Sequence, residues 1–171
     1  EGLDRTHMKM PEAQEAVIAA LIENHSNVIV VLSAGSPIEM PWVDKVKAIV
    51  HGYLGGQAGA SAMLNVLTGK VNPSGRLNET YPIQYKDTPA YAYFPSKERS
   101  SEYREGPYVG YRYYTTVEKE VRFPFGYGLS FTTFAYKDIK ANEHEVCFTI
   151  KNTGHRAGAE VAQLYVSKES D

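Results

Sequence analysis

Few stretches of this 171-residue chain set residue types at a spacing that could do chemistry. The most conspicuous is glycine-rich: Tyr53-Leu54-Gly55-Gly56-Gln57-Ala58-Gly59-Ala60-Ser61, between an apolar run and a helical one. Backbone amides at a helix start can hold a phosphate. The glycines, however, follow neither G-x-G-x-x-G nor G-x-x-x-x-G-K-[ST], and Gly69-Lys70 comes after the helix with Val71 next. Close packing of helix on strand explains them better than phosphate binding. The histidines, at 7, 25, 51, 144 and 155, form no i, i+4 ligand pair, so no metal is expected. His51 lies inside an apolar run and reads as a satisfied core residue. Glu39 and Asp44 flank the turn Met40-Pro41-Trp42 and read as capping or surface carboxylates. Glu105 stands in Tyr103-Arg104-Glu105-Gly106-Pro107, where pairing with an arginine such as Arg112 would order a tyrosine-rich loop.

Composition narrows the class. Hydrophobic residues make up 43% and charged residues 22% of the chain, the profile of a globular protein rather than a disordered one. No apolar run approaches the roughly 18 residues that span a bilayer, so no membrane partner is expected. The net charge of −2 and the lack of a basic cluster argue against nucleic acid. Cys147 is the single cysteine and cannot form an internal disulfide, so nothing points to an oxidising compartment and a cytoplasmic location is expected. The 13 tyrosines suit pocket walls and domain seams, and many read simply as strand residues. The sequons at Asn24 and Asn78 are given no role.

The elements that must position these groups follow from periodicity. Pro11 is placed at the first helical position, and Val17, Ile18, Leu21 and Ile22 recur at helical spacing behind it. Val28–Leu32 is a short continuous apolar run, as in parallel strands covered by helices on both faces. A second strand is expected in 47–54 and a second helix in 61–69, closed by Gly69. Helix, strand, strand and helix with short turns indicate α/β layering. A turn follows around Asn72-Pro73-Ser74-Gly75, and then a long polar and aromatic region from Ile83 to Lys119. From 134 the pattern changes to three short strands, 134–141, 144–152 and 160–168, with a turn at Asn152-Thr153-Gly154. Val146, Phe148 and Ile150 alternate with Cys147, Thr149 and Lys151 in the second. The fold class expected is α/β: a partial α/β sandwich with a parallel or mixed sheet, then the first strands of an antiparallel β-sandwich. The domains are 1–133 and 134–171, with the chain expected to be cut inside the second.

Six stretches in order carry a resemblance: VVLSAGSPIEMPWVDKV (30–46), GGQAG (55–59), VNPSGRLNETYP (71–82), YREGPYVGYRYY (103–114), FPFGYGLSFTTF (123–134) and NTGHRAGAEVAQLYVS (152–167). Together they resemble glycoside hydrolase family 3, the β-glucosidase and β-xylosidase family. The resemblance implies the later part of that family's C-terminal α/β sandwich domain and the start of a fibronectin type III-like domain. Nothing resembles the (β/α)8 barrel that carries the family's nucleophilic aspartate. Pro107 departs from the bulky aliphatic residue usual at that place in the family's loop.

The resemblance also implies roles. Many members carry a Ser-Gly-Glu-Gly-x-Asp-Arg loop whose glutamate is the general acid/base, and Glu1-Gly2-Leu3-Asp4-Arg5 matches its last five positions. Glu1 is therefore the candidate catalytic residue, supplying a retaining β-glycosidase with the proton for the leaving group. Glu105 is the rival carboxylate: its loop would wall the sugar site, against the plainer ion-pair reading. The implied partners are a β-glucoside or oligosaccharide and the barrel of the parent chain, with no cofactor. Exposed edges of a truncated sheet invite association. Without the barrel nucleophile the segment alone is expected to be inactive. The alternative is a non-catalytic carbohydrate-binding or structural module of the same fold.

Overall fold

The computed structural model describes residues 5–95 and 99–167. Helix α1 spans Glu12–Asn24. Pro11 precedes it as the N-cap rather than filling the first helical position, and its carbonyl accepts the amides of Gln14 and Glu15 at 2.9 and 3.2 Å. Glu12 and Glu15 in the first turn complement the positive end of the helix. Strand β1, Ile29–Leu32, pairs in parallel with β2, Ala48–His51, in the register Ile29↔Ala48 to Leu32↔His51. Helix α2, Gly59–Leu67, follows the glycine-rich turn.

One face of this layer holds the core. Ile18 of α1, Leu32 of β1, Ile38, Met40 and Trp42 of the connection, and Tyr81 are buried in one cluster. Each such side chain removed from water contributes about 1.5–3 kcal/mol. The other face is less covered than the apolar run at 28–32 implies. Ile29 and Val31 are 52% and 47% exposed, and Val17 and Leu21 leave half the α1 stripe open. Val31 instead lines a groove of about 480 Å³ with Met63, Leu64 and Leu67 of α2. An apolar run shows that a strand can be buried on both faces, but not what covers each.

The glycine-rich turn packs as its composition implies. A Cβ on Gly55 would lie 2.8 Å from the Gly59 Cα, which is backbone and cannot swing aside. A Cβ on Gly59 would meet nothing within 4 Å. Gly55→Ala is expected to destabilise by about 1–3 kcal/mol as an overpacking change. Gly59→Ala is expected to be neutral or to gain about 0.4–1 kcal/mol from lost chain entropy. Melting the two variants side by side checks the contrast.

Two features of 77–128 are absent from the periodicity, an antiparallel pair and a short helix. Tyr81–Pro82 forms β3, antiparallel to β4, Val121–Phe123. The pairing extends through Leu77, whose amide donates to Tyr127 O and whose carbonyl accepts Gly126 N, both at 2.8 Å. Tyr111–Thr116 forms the short helix α3. It follows Gly110 at φ +55°, a backbone conformation that favours glycine. Of the 13 tyrosines only Tyr81 and the later Tyr136 lie in strands. The others occupy loops and α3, so the strand reading of most of them is corrected. Their rings pair across loops instead, as Tyr111 does with Phe125 at 5.1 Å and with Tyr165 at 5.4 Å.

The C-terminal part is an antiparallel hairpin of β5, Phe134–Ala141, and β6, Val146–Asn152, with a register shift between Lys137 and Lys140. Tyr136 stacks on Phe148 at 6.2 Å, on the apolar face that the alternation in β6 predicts. The expected third strand is not formed over 160–167. Among the described residues no strand pairs with that stretch. Its groups turn to side chains and to the earlier domain: Val161 N donates to Glu160 Oε1 at 2.8 Å and Gln163 Nε2 to Gly126 O at 3.1 Å.

A polar seam joins this stretch to the turn around Asn72. Asn72 Oδ1 accepts Phe131 N at 2.7 Å and Ser130 Oγ at 3.0 Å, while its Nδ2 donates to Ala157 O at 2.9 Å. Arg76 Nη2 donates to both carboxylate oxygens of Glu160 at 2.8 Å, with both side chains nearly buried. The molecule is thus a mixed α/β fold with a small parallel sheet, antiparallel pairs and few helices.

Candidate functional site

Glu1 lies outside the described residues, so the site is approached from its neighbour in the motif, Arg5. Arg5 Nη1 donates to Ser36 Oγ and, at 3.4 Å, to Pro37 O. The backbone continues beside the same connection, with Glu39 N donating to Met8 O at 2.8 Å. Met8 is buried, and Met10 packs on the core cluster.

Arg5, Ser36 and Pro37 form one rim of a cavity of about 500 Å³. Its other walls are mainly aromatic and come from distant elements: Tyr85, Phe94, Tyr111, Tyr114 and Phe125, with Glu79 among them. The size suits a small organic ligand, for which about 300–1,000 Å³ is usual. Glu39 Oε1 accepts the Tyr85 amide at 2.8 Å and so fixes the start of that wall. Glu39, expected as a capping or surface carboxylate of its own turn, instead holds an amide 46 residues further along the chain. Asp44 stands at the surface beside Arg122, 3.3 Å away.

Glu79 is the titratable group at the cavity that the sequence reading passed over, having treated Asn78-Glu79-Thr80 only as a sequon. Glu79 lies in a bend two residues before the fully buried Tyr81. Behind it stands a polar chain. His51 Nδ1 lies 3.3 Å from Leu32 O, an acceptor, and 3.5 Å from Tyr53 N, a donor. Nε2 shares a hydrogen bond with the Tyr81 hydroxyl at 2.6 Å. His51 is thereby satisfied, and its ring lies 3.9 Å from that of Tyr53. The buried Tyr53 hydroxyl lies beside Tyr81 and Glu79 without a partner in hydrogen-bonding geometry.

Burial raises the Glu79 carboxyl above the ordinary carboxylate value, outweighing the lowering by Tyr53 and by His51. Burial also raises Tyr81, and pushes Tyr114 up to about 12 with help from the Asp87 charge. Asp87 is held by Lys119 at 3.0 Å. A raised carboxyl binds more protons folded than unfolded, so its contribution to stability is present at low pH and lost as pH rises through the folded value. Glu79→Gln is therefore expected to match the wild type below the carboxylate range and to exceed it in stability above. Melting temperatures on either side of that range check the sign.

Glu105 sits elsewhere. It is half-buried in the turn after Tyr103, its carbonyl accepts Tyr108 N at 3.0 Å, and it is not among the described residues that line the cavity. The expected partnership with Arg112 is not formed among the described ion pairs. Arg104 pairs with Glu102 at 2.8 Å, and Arg112 lies over the Tyr111 ring at 5.9 Å. Glu105 is close to Tyr93, whose hydroxyl pKa is raised by desolvation and then by the Glu105 charge.

Comparison with known proteins places this geometry. The family model described as the glycosyl hydrolase family 3 C-terminal domain matches residues 1–131. Thermostable beta-glucosidase B of Acetivibrio thermocellus is 50% identical over 174 residues, which covers 97% of this chain and 23% of that protein. Probable beta-glucosidase K of Emericella nidulans is 41% identical, covering 99% of this chain and 20% of its own length. The chain thus spans less than a quarter of the length of these curated relatives. Among solved structures, the GH3 beta-glucosidase of Bifidobacterium adolescentis superposes with a TM-score of 0.86 at 39% identity, covering 90% of this chain and 24% of that one. The beta-glucosidase 3B of Thermotoga neapolitana, solved with α-D-glucose, gives 0.83 at 38% identity over 92% of this chain and 24% of its own.

Proposed function

Because this chain belongs to the family of glycosyl hydrolase family 3 C-terminal domains, we propose that it is one part of a retaining β-glucosidase and supplies that enzyme's general acid/base, Glu1. A retaining glycosidase needs two carboxyl groups about 5–5.5 Å apart across the glycosidic bond. One attacks the anomeric carbon and the other protonates the leaving oxygen. The nucleophile belongs to a barrel that is not among these residues, so the segment by itself turns over no glycoside. The sandwich-like part is assigned to residues 1–133 and the fibronectin-like part to 134–171.

The observation that supports this reading most is the anchoring of Arg5 at the rim of the aromatic cavity. A carboxyl carried on the motif that contains Arg5 then works beside a pocket sized for a sugar and its aglycone. The substrate class is a terminal β-glucoside or short β-linked oligosaccharide. Glu105, apart from the cavity, is kept as the rival carboxylate for substrate binding. Removing the Glu1 carboxyl in the full-length polypeptide, with leaving groups of different acidity, tests the proposal. Unchanged turnover would leave a non-catalytic carbohydrate-binding or structural module.

A further inference from the structure

Tyr111 and Phe125 line the cavity, and neither belongs to an element that can hold it alone. Tyr111 opens α3, a helix of six residues, and a helix that short is not stable without tertiary contacts. Tyr114 is buried and fastens the helix one turn further on, which leaves the Tyr111 ring to find its own support. Phe125 lies in the turn after β4, next to Gly126 at φ +79°. Both are met by one stretch from the C-terminal part of the chain. The Tyr165 ring stands edge-on to Tyr111 at 5.4 Å, and Tyr111 in turn lies 5.1 Å from Phe125. The Tyr165 hydroxyl donates to Gln163 Oε1 at 2.6 Å, and Gln163 Nε2 donates to Gly126 O at 3.1 Å. These contacts close a circuit around the two wall residues. A Cβ on Gly126 would overlap the Gln163 amide, so the fit is close. Tyr165 itself is 54% exposed and is not among the described residues that line the cavity. Its contacts therefore bear on the wall rather than on the core or on a ligand.

We infer that Tyr165 is a positioning residue: by packing edge-on against Tyr111 it makes the C-terminal part of the chain a support for the aromatic wall of the cavity. The inference rests on the part of the proposed function that puts the substrate in this cavity, and not on the role of Glu1. An edge-to-face pair fixes the orientation of each ring, because the positive edge of one meets the negative face of the other. A wall that has lost this support still touches the substrate, but its ring is free to turn, and ordering it then falls to the substrate. Such a wall meets the ground state and the transition state alike. Loosening it therefore weakens binding and spares the chemical step.

The test measures hydrolysis of nitrophenyl β-glucoside, and its inhibition by the uncleaved phenyl thio-β-glucoside, in the full-length protein. The variants are Tyr165→Ala, Tyr165→Phe, Tyr111→Ala and the two alanine changes together. Tyr165→Ala is expected to raise KM and the inhibition constant about 2- to 10-fold, the value of one aromatic pair, with kcat and the melting temperature close to wild type. Tyr165→Phe keeps the ring and recovers most of the loss. Added to Tyr111→Ala, Tyr165→Ala changes nothing further, because the ring through which it acts is gone. Three results overturn the inference: both constants unchanged in Tyr165→Ala while Tyr111→Ala raises them, effects of the two changes that add, or a fall in kcat and melting temperature alongside binding, as a general loosening of the fold would give. If Tyr111→Ala itself leaves binding unchanged, the cavity is not where the substrate sits. That reading then fails first, and the role of Tyr165 falls with it.

Discussion

Glu1→Ala in the full-length protein is expected to lower hydrolysis of alkyl β-glucosides by about 10²–10⁴-fold, the usual contribution of a general acid or base. The loss should shrink as the leaving group becomes more acidic, because a good leaving group departs without a proton. For such substrates the first step proceeds and the glycosyl-enzyme accumulates, since the same carboxyl must later take a proton from water. Azide needs no deprotonation. It should therefore restore turnover and appear in the product as β-glucosyl azide, the configuration retained through two inversions. The pH dependence changes too. Loss of the protonated acid sets the alkaline limb of a bell-shaped profile, and that limb should vanish in the variant. Wild-type behaviour on every substrate overturns the assignment and makes Glu105 the next carboxylate to replace.

The largest expected effect on stability is at the seam. Arg76→Ala is expected to weaken the hold on residues 156–163 by about 3–5 kcal/mol, the magnitude for stripping one partner from a buried ion pair. The Arg76 and Glu160 side chains are only 11% and 13% exposed, so a lone Glu160 carboxylate would be short of both water and counter-charge. One backbone donor, Val161 N, would remain on it. The same pair removed as a pair, Arg76→Met with Glu160→Leu, should lose far less, because no charge is left uncompensated. Amide hydrogen exchange over 156–163 in the intact protein reads this local opening directly. Equal exchange in the single and double variants would mean that the pair's burial is not what holds the seam.

Much of this fold was legible as local pattern. The helical spacing of Ile18 and Ile22, bounded by Pro11 and Asn27, locates α1, and the structure runs it over Glu12–Asn24. The alternation in 144–152 and the Asn152-Thr153-Gly154 turn locate β6. The six motifs in order were enough for the family. These features are repetitive or contiguous, so a short window of chain carries their whole signal. The glycines of 55–59 were also legible, as packing rather than phosphate chemistry, once they failed the loop motifs.

What escaped the sequence depends on partners far away in the chain. Two residues, Tyr81 and Pro82, form a strand only because Val121–Phe123 lies beside them. Conversely, 160–167 has strand-like residues and no strand, because no strand among the described residues pairs with it and Arg76 holds Glu160. The cover on Ile29 and Val31, the shift of Arg112 onto Tyr111, and the place of Glu79 between a cavity and a buried tyrosine are decided in the same way. The sequence by itself determined the types of α1, β1, β2, α2, β5 and β6, the family and the motif holding the candidate acid/base. Only the tertiary structure decided which faces are buried, which charges pair and where Arg5 points. Backbone periodicity is a property of neighbours along the chain, whereas burial and pairing are free energies of contacts between residues tens of positions apart.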